Sequence, residues 1–155
     1  MASPDRPRPG ARRIADVALR GLAPRRARVH WPAPYGDASV PALVVLFATD
    51  DDLVDELITR LGAVVLTVSA AHAVEAHAVV SWAADHVAEL GVDPARIAVV
   101  GDGACAALAE RVAELTVDEG WPPLRHVGLI WPHDDPAAAL DGLGRALAAP
   151  DRSAR

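Results

Sequence analysis

The sequence predicts an α/β fold of three layers, α/β/α, with helices on both faces of a mainly parallel central sheet. First, apolar runs rich in Val and Ile recur at Leu43–Ala48, Ala63–Val68, Ile97–Val100 and Val127–Trp131. None of them alternates apolar with polar residues, so each reads as a strand buried on both faces, as parallel strands are. Second, helical stretches lie between and after them, at Leu53–Leu61, Val74–Leu90, Ala104–Leu115 and Ala137–Ala149. Strand and helix taking turns is the α/β pattern. Third, a chain of 155 residues is sized for a single domain with its own core.

Taken in order, residues 1–26 read as a mobile basic arm with a short helix. Pro4, Pro7, Pro9 and Gly10 exclude regular structure at the start, because proline removes a donor and fixes φ. Ile14, Val17 and Ala18 then fit one short helical face. The single domain is expected over 27–150, and 151–155 as a disordered tail. Arg28–Pro34 reads as a strand that Pro32 and Pro34 confine to a sheet edge. Asp52, with Asp55 three residues on, is placed to cap the first helix. Gly91 stops the second helical stretch, and Asp93-Pro94 turns the chain into the next strand. There is no internal repeat.

Composition excludes several classes. The chain has 15 Arg and no Lys, 21 acids and one Cys, so a disulfide scaffold is ruled out. Residues 1–28 hold eight Arg against Asp5 and Asp16, whereas the remainder holds seven Arg against 19 acids. An acidic body offers no surface to nucleic acid. No apolar run approaches the ~18 residues of a membrane span. Arg12-Arg13 could open an export signal, but Asp16, Arg20, Arg25, Arg26 and Arg28 stand where its apolar region must lie. A cytoplasmic protein without membrane or nucleic-acid partners is expected.

The run Gly91-Val92-Asp93-Pro94-Ala95-Arg96-Ile97-Ala98-Val99-Val100-Gly101-Asp102-Gly103-Ala104-Cys105 resembles the strand-to-elbow segment of the hormone-sensitive-lipase-like esterases, members of the α/β-hydrolase superfamily. That segment typically reads G-x-D-P-x-R-I-A-V-x-G-D-S-A-G. The resemblance extends over roughly Val40 to Pro132. Gly62–Val68 is similar to the strand before the family's D-Y-R-L-A-P-E segment, and Ser81–Leu90 to the helix before its elbow. Pro122-Pro123-Leu124 and Leu129-Ile130-Trp131-Pro132 are similar to its P-P-L and L-I-Y-P stretches. The resemblance implies a truncated α/β-hydrolase-like sheet with the elbow on the third of the four central strands.

The departures fall on the chemistry. In G-x-S-x-G a serine hydroxyl is displayed on a strained turn; here the elbow is Gly101, Asp102, Gly103, Ala104, Cys105, with glycine at the nucleophile's position. Cys105 stands two residues beyond that position, in the first helical turn, where a helix dipole could lower its pKa; a buried, inert thiol is the simpler reading. Where the family has H-G-G-G for its oxyanion hole, this chain has Ala48, Thr49, Asp50 and Asp51, and carboxylates there oppose a developing negative charge. They serve more simply as a loop and helix cap, with a divalent-cation site as the sharper alternative. The family's triad Asp and His belong beyond further strands. No catalytic residue is therefore assigned.

Ser69, His72 and His133 are the candidates for lining a pocket, in place of the family's D-Y-R-L-A-P-E segment and after the last strand. Ser69 and His72 are too close along the chain to assume a pair, and His72 and His77, five apart, share no helical face for a metal. No metal or cofactor is expected. Val99–Cys105 also looks like the phosphate loop of Rho-type GTPases, but Ala106, Ala107 and Leu108 stand where Gly, Lys and Ser or Thr are required. Three functions remain: a non-catalytic interaction or regulatory subunit; a small-molecule-binding domain on an esterase pocket, as in the related plant gibberellin receptors; or a weak carboxylesterase with displaced residues such as Cys105 and His133. A homodimer or a protein partner is expected through the edge strand Val127–Trp131, since an uncovered apolar edge invites pairing.

Overall fold

The computed structural model describes residues 13–17, 27–32, 40–47, 52–69, 72–131 and 134–148. The rest of the expected arm (1–12 and 18–26), the loop 48–51, His133 and the tail 151–155 lie outside the described residues. The described strands are β1 (Arg13–Val17), β2 (Ala27–Trp31), β3 (Leu43–Phe47), β4 (Val64–Val68), β5 (Ile97–Asp102) and β6 (His126–Ile130). The helices are α1 (Asp52–Leu61), α2 (Ala73–Asp85), α3 (Val87–Leu90), α4 (Ala106–Glu119) and α5 (Pro136–Ala148).

The six strands form one sheet in the order β1-β2-β4-β3-β5-β6. β3 pairs parallel with β4 and β5, and β5 parallel with β6; β1 and β2 are antiparallel additions at one side. This is the predicted α/β class. Every residue of β3 is buried, because alternate side chains enter two separate cores. Leu43, Val45 and Phe47 join residues of α2 and α4 in one cluster. Val44 and Leu46 join Leu53, Val54, Leu57 and Ile58 of α1 and Leu140, Leu143 and Leu147 of α5 in the other. Burying each such Val, Leu or Phe side chain contributes roughly 1.5–3 kcal/mol, so the two apolar layers account for the strands' unbroken hydrophobicity.

Five expectations need correction. Residues 13–17 form a strand and not a helix. Five residues are too few to separate the two periods, and antiparallel pairing with β2 decides the matter, with Asp16 directly opposite Arg28 and bonded to it at 2.8 Å. The sheet thus begins upstream of residue 27, where the domain was expected to start. β2 is interior and not an edge, since β1 flanks it; Pro32 falls just after its last residue and withdraws no donor from the ladder. Asp52 is the first residue of α1 and not the residue before it.

The stretch expected as one helix over 74–90 is broken at His86. There the ring Nδ1 hydrogen-bonds the Trp82 carbonyl at 2.6 Å, while the backbone N–H turns to Ala83 at 3.2 Å. A side chain has taken the carbonyl that the helix ladder needs. Stacking of the Trp82 and His86 rings, with centroids 4.5 Å apart, holds the break in place. The predicted stop at Gly91 is present, with φ of +71°, a backbone conformation that favours glycine.

The turn into β5 ties the amino ends of the central strands together. Asp93 Oδ1 accepts the Ala95 N–H at 2.9 Å and its Oδ2 pairs with Arg96 Nε at 3.2 Å. The Arg96 guanidinium also donates to the Val40 carbonyl, and the Asp93 N–H donates to Pro41 at 2.9 Å. One carboxylate therefore sets the entry of β5 against that of β3. Asp93→Ala is expected to lower stability by about 1–2 kcal/mol in urea denaturation, against about 0.5 kcal/mol or less for the exposed Asp85→Ala.

Candidate functional site

Crossover handedness locates the site. A strand–helix–strand crossover is right-handed, so the direction of travel along the sheet fixes which face its helix covers. β3 leads through α1 to β4 on one side, whereas β5 leads through α4 to β6 on the other, and the two helices lie in different cores. The adjacent carboxyl ends of β3 and β5 are thus the point where the chain departs in opposite directions, which in open α/β sheets is where ligands bind. The carboxyl end of β5 carries the predicted elbow.

The corner is made by two glycines with different duties. Gly101, in β5, lets strand and helix touch: a Cβ there would lie 2.6 Å from Ala109 Cβ, 2.9 Å from Ala106 Cα, and closer still to the Cys105 carbonyl oxygen. Gly103 has φ of +59° and opens a short 3-10 turn, Gly103–Cys105, that feeds α4. A Cβ built on Gly103 meets nothing within 4 Å. The chain at 103 is therefore a left-handed tip facing open space, where a side chain would be displayed if there were one. Asp102 and Gly103 are half-buried and Ala104 is exposed.

Cys105 is half-buried and packs against the core beside α2 and α4. Burial, and secondarily the negative charge of Asp102, push its thiol above the usual value of 9.0. The direction is that of the simpler reading, a buried thiol, and is opposite to what a helix dipole would give, because desolvation and a neighbouring carboxylate both disfavour a thiolate. At neutral pH the sulfur is a protonated thiol.

Of the other candidates, the described ones, Ser69 and His72, do not stand at this tip. Ser69 follows β4 and His72 immediately precedes α2, both exposed. β4 and β5 are separated by β3, so at ~4.8 Å per strand their ends stand ~10 Å apart. Ala48, Thr49, Asp50, Asp51 and His133 lie outside the described residues. Among the described residues, no group of three or more His, Cys, Asp and Glu is placed to hold a metal ion, and no helix is long and apolar enough to cross a membrane.

Two features were missed from the sequence. The Trp131 N–H donates to Asp134 Oδ2 and the Asp134 N–H to the Trp131 carbonyl, each at 2.9 Å; an aspartate three residues after Trp131, just past the strand, is a signal that could have revealed this lock. A cavity of about 500 Å³ lies between α1 and α5, lined by Arg60, Leu61, Leu140, Asp141, Gly144 and Arg145. At its wall Gly144 lets Leu61 approach closely, a Cβ there falling 3.0 Å from Leu61 Cδ2, and a helix-interior glycine gives no such signal in advance.

Comparison with known proteins agrees with this geometry. The model of the alpha/beta hydrolase fold family matches residues 42–148. Esterase LipI of Mycobacterium tuberculosis is 30% identical over 132 residues, covering 72% of this chain and 41% of that protein. Carboxylesterase NlhH of the same species is 31% identical over 126 residues, covering 70% and 39% respectively. The solved structure of a Pyrobaculum calidifontis esterase superposes with a TM-score of 0.64 at 30% identity, over 74% of this chain and 43% of that one. EstE1, a thermostable carboxylesterase cloned from a metagenomic library, does so with 0.63 at 29% identity, over 76% and 45%. The chain spans about two fifths of the length of the curated relatives it matches.

The corner yields two expectations. Gly101→Ala should cost about 3 kcal/mol or more in thermal or urea unfolding, since backbone atoms must move. Gly103→Ala and Gly103→Ser should each cost only about 1–2 kcal/mol, the strain of a left-handed residue in open space. For Cys105, alkylation by iodoacetamide should be slow at pH 7, and its rate should go on rising to a higher pH than that of an ordinary exposed thiol before it levels off. Asp102→Asn removes the smaller of the two causes and should shift that rise to lower pH; an unchanged rate profile would contradict the assignment.

Proposed function

The chain belongs to the alpha/beta hydrolase fold family and is homologous to carboxylesterases, and from that premise we propose that it is a non-catalytic member, acting as an interaction or regulatory subunit. The observation that carries this reading is Gly103: the tip of the strand-to-helix corner, at the sheet's switch point, holds no side chain. Ester hydrolysis through an acyl-enzyme needs a nucleophilic oxygen or sulfur displayed at that tip, with N–H donors about 3 Å from where the oxyanion develops. Hydrogen is all that position 103 offers.

Cys105 does not replace the missing group. Its sulfur sits two residues along, packed against the core, and is held as a neutral thiol by burial and by Asp102. In the sequence Asp50 and Asp51 stand where the resemblance sets oxyanion glycines, and carboxylates at such a site would oppose the charge an acyl-transfer transition state develops. What the chain keeps is the scaffold, and its outermost apolar strand, with Trp131 beyond it, is the surface proposed for contact.

A second reading rests on the open space above Gly103: the corner holds a small molecule without transforming it. A rise in melting temperature with an ester or acid ligand, lost when Gly103→Val fills the space, supports that reading over the first.

The purified chain should hydrolyse p-nitrophenyl acetate and butyrate no faster than buffer. Turnover well above buffer overturns the proposal, and turnover that disappears in Cys105→Ala assigns the sulfur as the displaced nucleophile.

A further inference from the structure

Among the described residues no strand pairs with the outer side of β6. Among the described residues that edge lacks the usual protections against pairing, which are charges, proline, bulges or a covering element. Its sequence, His126-Val127-Gly128-Leu129-Ile130, contains no Asp, Glu, Lys, Arg or Pro, and its register with β5 runs unbroken from Ala98–His126 to Asp102–Ile130. The opposite edge, β1, carries Arg13 and Asp16. Trp131, 37% exposed, continues the apolar line of β6 to its end.

Charge divides this edge into unlike ends. Arg125 precedes β6, its stem pinned by the bond from Nε to the Ala146 carbonyl at 3.2 Å. Asp134 is locked against Trp131 at the other end, and the exposed Asp135 follows it. A second copy running antiparallel sets the basic end of each strand against the acidic end of the other. A parallel arrangement would set like charge against like.

We infer that the occupant of this edge is a second copy of the chain, with the two β6 strands paired antiparallel about a two-fold axis through Gly128. Gly128 is the midpoint of the strand, so this register overlaps all of it. The residue on such an axis faces its own copy at about 4.5–5.5 Å, and glycine brings no side chain into that contact. Val127 then stands opposite the partner's Leu129, His126 opposite the partner's Ile130, and Arg125 opposite the partner's Trp131. The basic Arg125 end of each strand then lies along the edge against the partner's Trp131 and the partner's Asp134 end, an attraction of unlike charges across the interface. The two sheets become one. This names the partner for the interaction reading above and rests on it.

Light scattering over a concentration series, with the untagged chain and circular dichroism as a check on folding, tests the proposal. The mass should rise to twice that of the chain. Arg125→Glu and Asp134→Arg should each weaken dimerisation by about tenfold or more, and the double charge reversal should restore most of the loss, as expected of paired charges across an interface. Trp131→Ala should weaken it independently, with no change in fold. A monomer at every concentration, or a dimer indifferent to Arg125, Asp134 and Trp131, overturns the inference. The ester assay on the same sample separates the two ideas: an inert monomer removes only the dimer, whereas an active dimer removes only the non-catalytic reading.

Discussion

Burial of β3 on both faces is the constraint from which the rest of the architecture follows. Leu43, Val44, Val45, Leu46 and Phe47 are all 0% exposed. A strand in that position must have hydrogen-bonded neighbours on both sides and helices above and below, because its backbone and both sets of side chains are withdrawn from water. β4 and β5 supply the neighbours, α2 and α4 one cover, and α1 and α5 the other. Right-handed crossovers allow this only if the chain leaves β3 and β5 in opposite directions. The crevice at their carboxyl ends is thus a consequence of packing, whatever residue stands at the corner.

That independence explains how a corner can persist without a reactive group. Gly101 is needed by the fold, since backbone and side-chain atoms of α4 occupy the space of its missing Cβ. Gly103 is not needed for space at all; its φ of +59° is what the turn requires of whatever residue stands there. An ordinary L-residue in that conformation costs about 1–2 kcal/mol, strain that a nucleophile justifies only by being displayed. With nothing to display, glycine gives the same path at lower cost. At the neighbouring Cys105, burial and the Asp102 charge both favour the protonated thiol.

Much of the fold was legible because its signals are local. β3, β4 and β5 were found within two residues of their ends, since a short unbroken run of Val, Ile and Leu between turn residues satisfies its backbone and both its faces best inside a parallel sheet. The Gly91 stop and the Asp93 turn were legible because both depend on one residue's own backbone preference. β1 was not, because five residues of mixed character take their conformation from a partner strand that the sequence does not point to. The break at His86 was equally hidden, for it depends on which carbonyl an imidazole ring reaches. At the site, the glycine pattern of the corner could be read directly. The state of Cys105 could not: Asp102 is a visible neighbour in the chain, but the larger cause, burial against α2 and α4, exists only once the helices pack.

The same physics gives the sheet two dissimilar flanks. On one side β1 and β2 are antiparallel additions, and β1 carries charged residues, one of them paired across strands at Asp16–Arg28. On the other side β6 belongs to the parallel series, whose members are apolar because they are built to be covered on both faces. When such a strand is outermost among the described residues, interior chemistry stands at an edge: four of its five residues are only partly buried. An edge of that composition is costly to leave in water and prone to pair. The feature that makes the fold readable from sequence, strands apolar throughout, therefore also leaves the two flanks of the sheet unlike in charge.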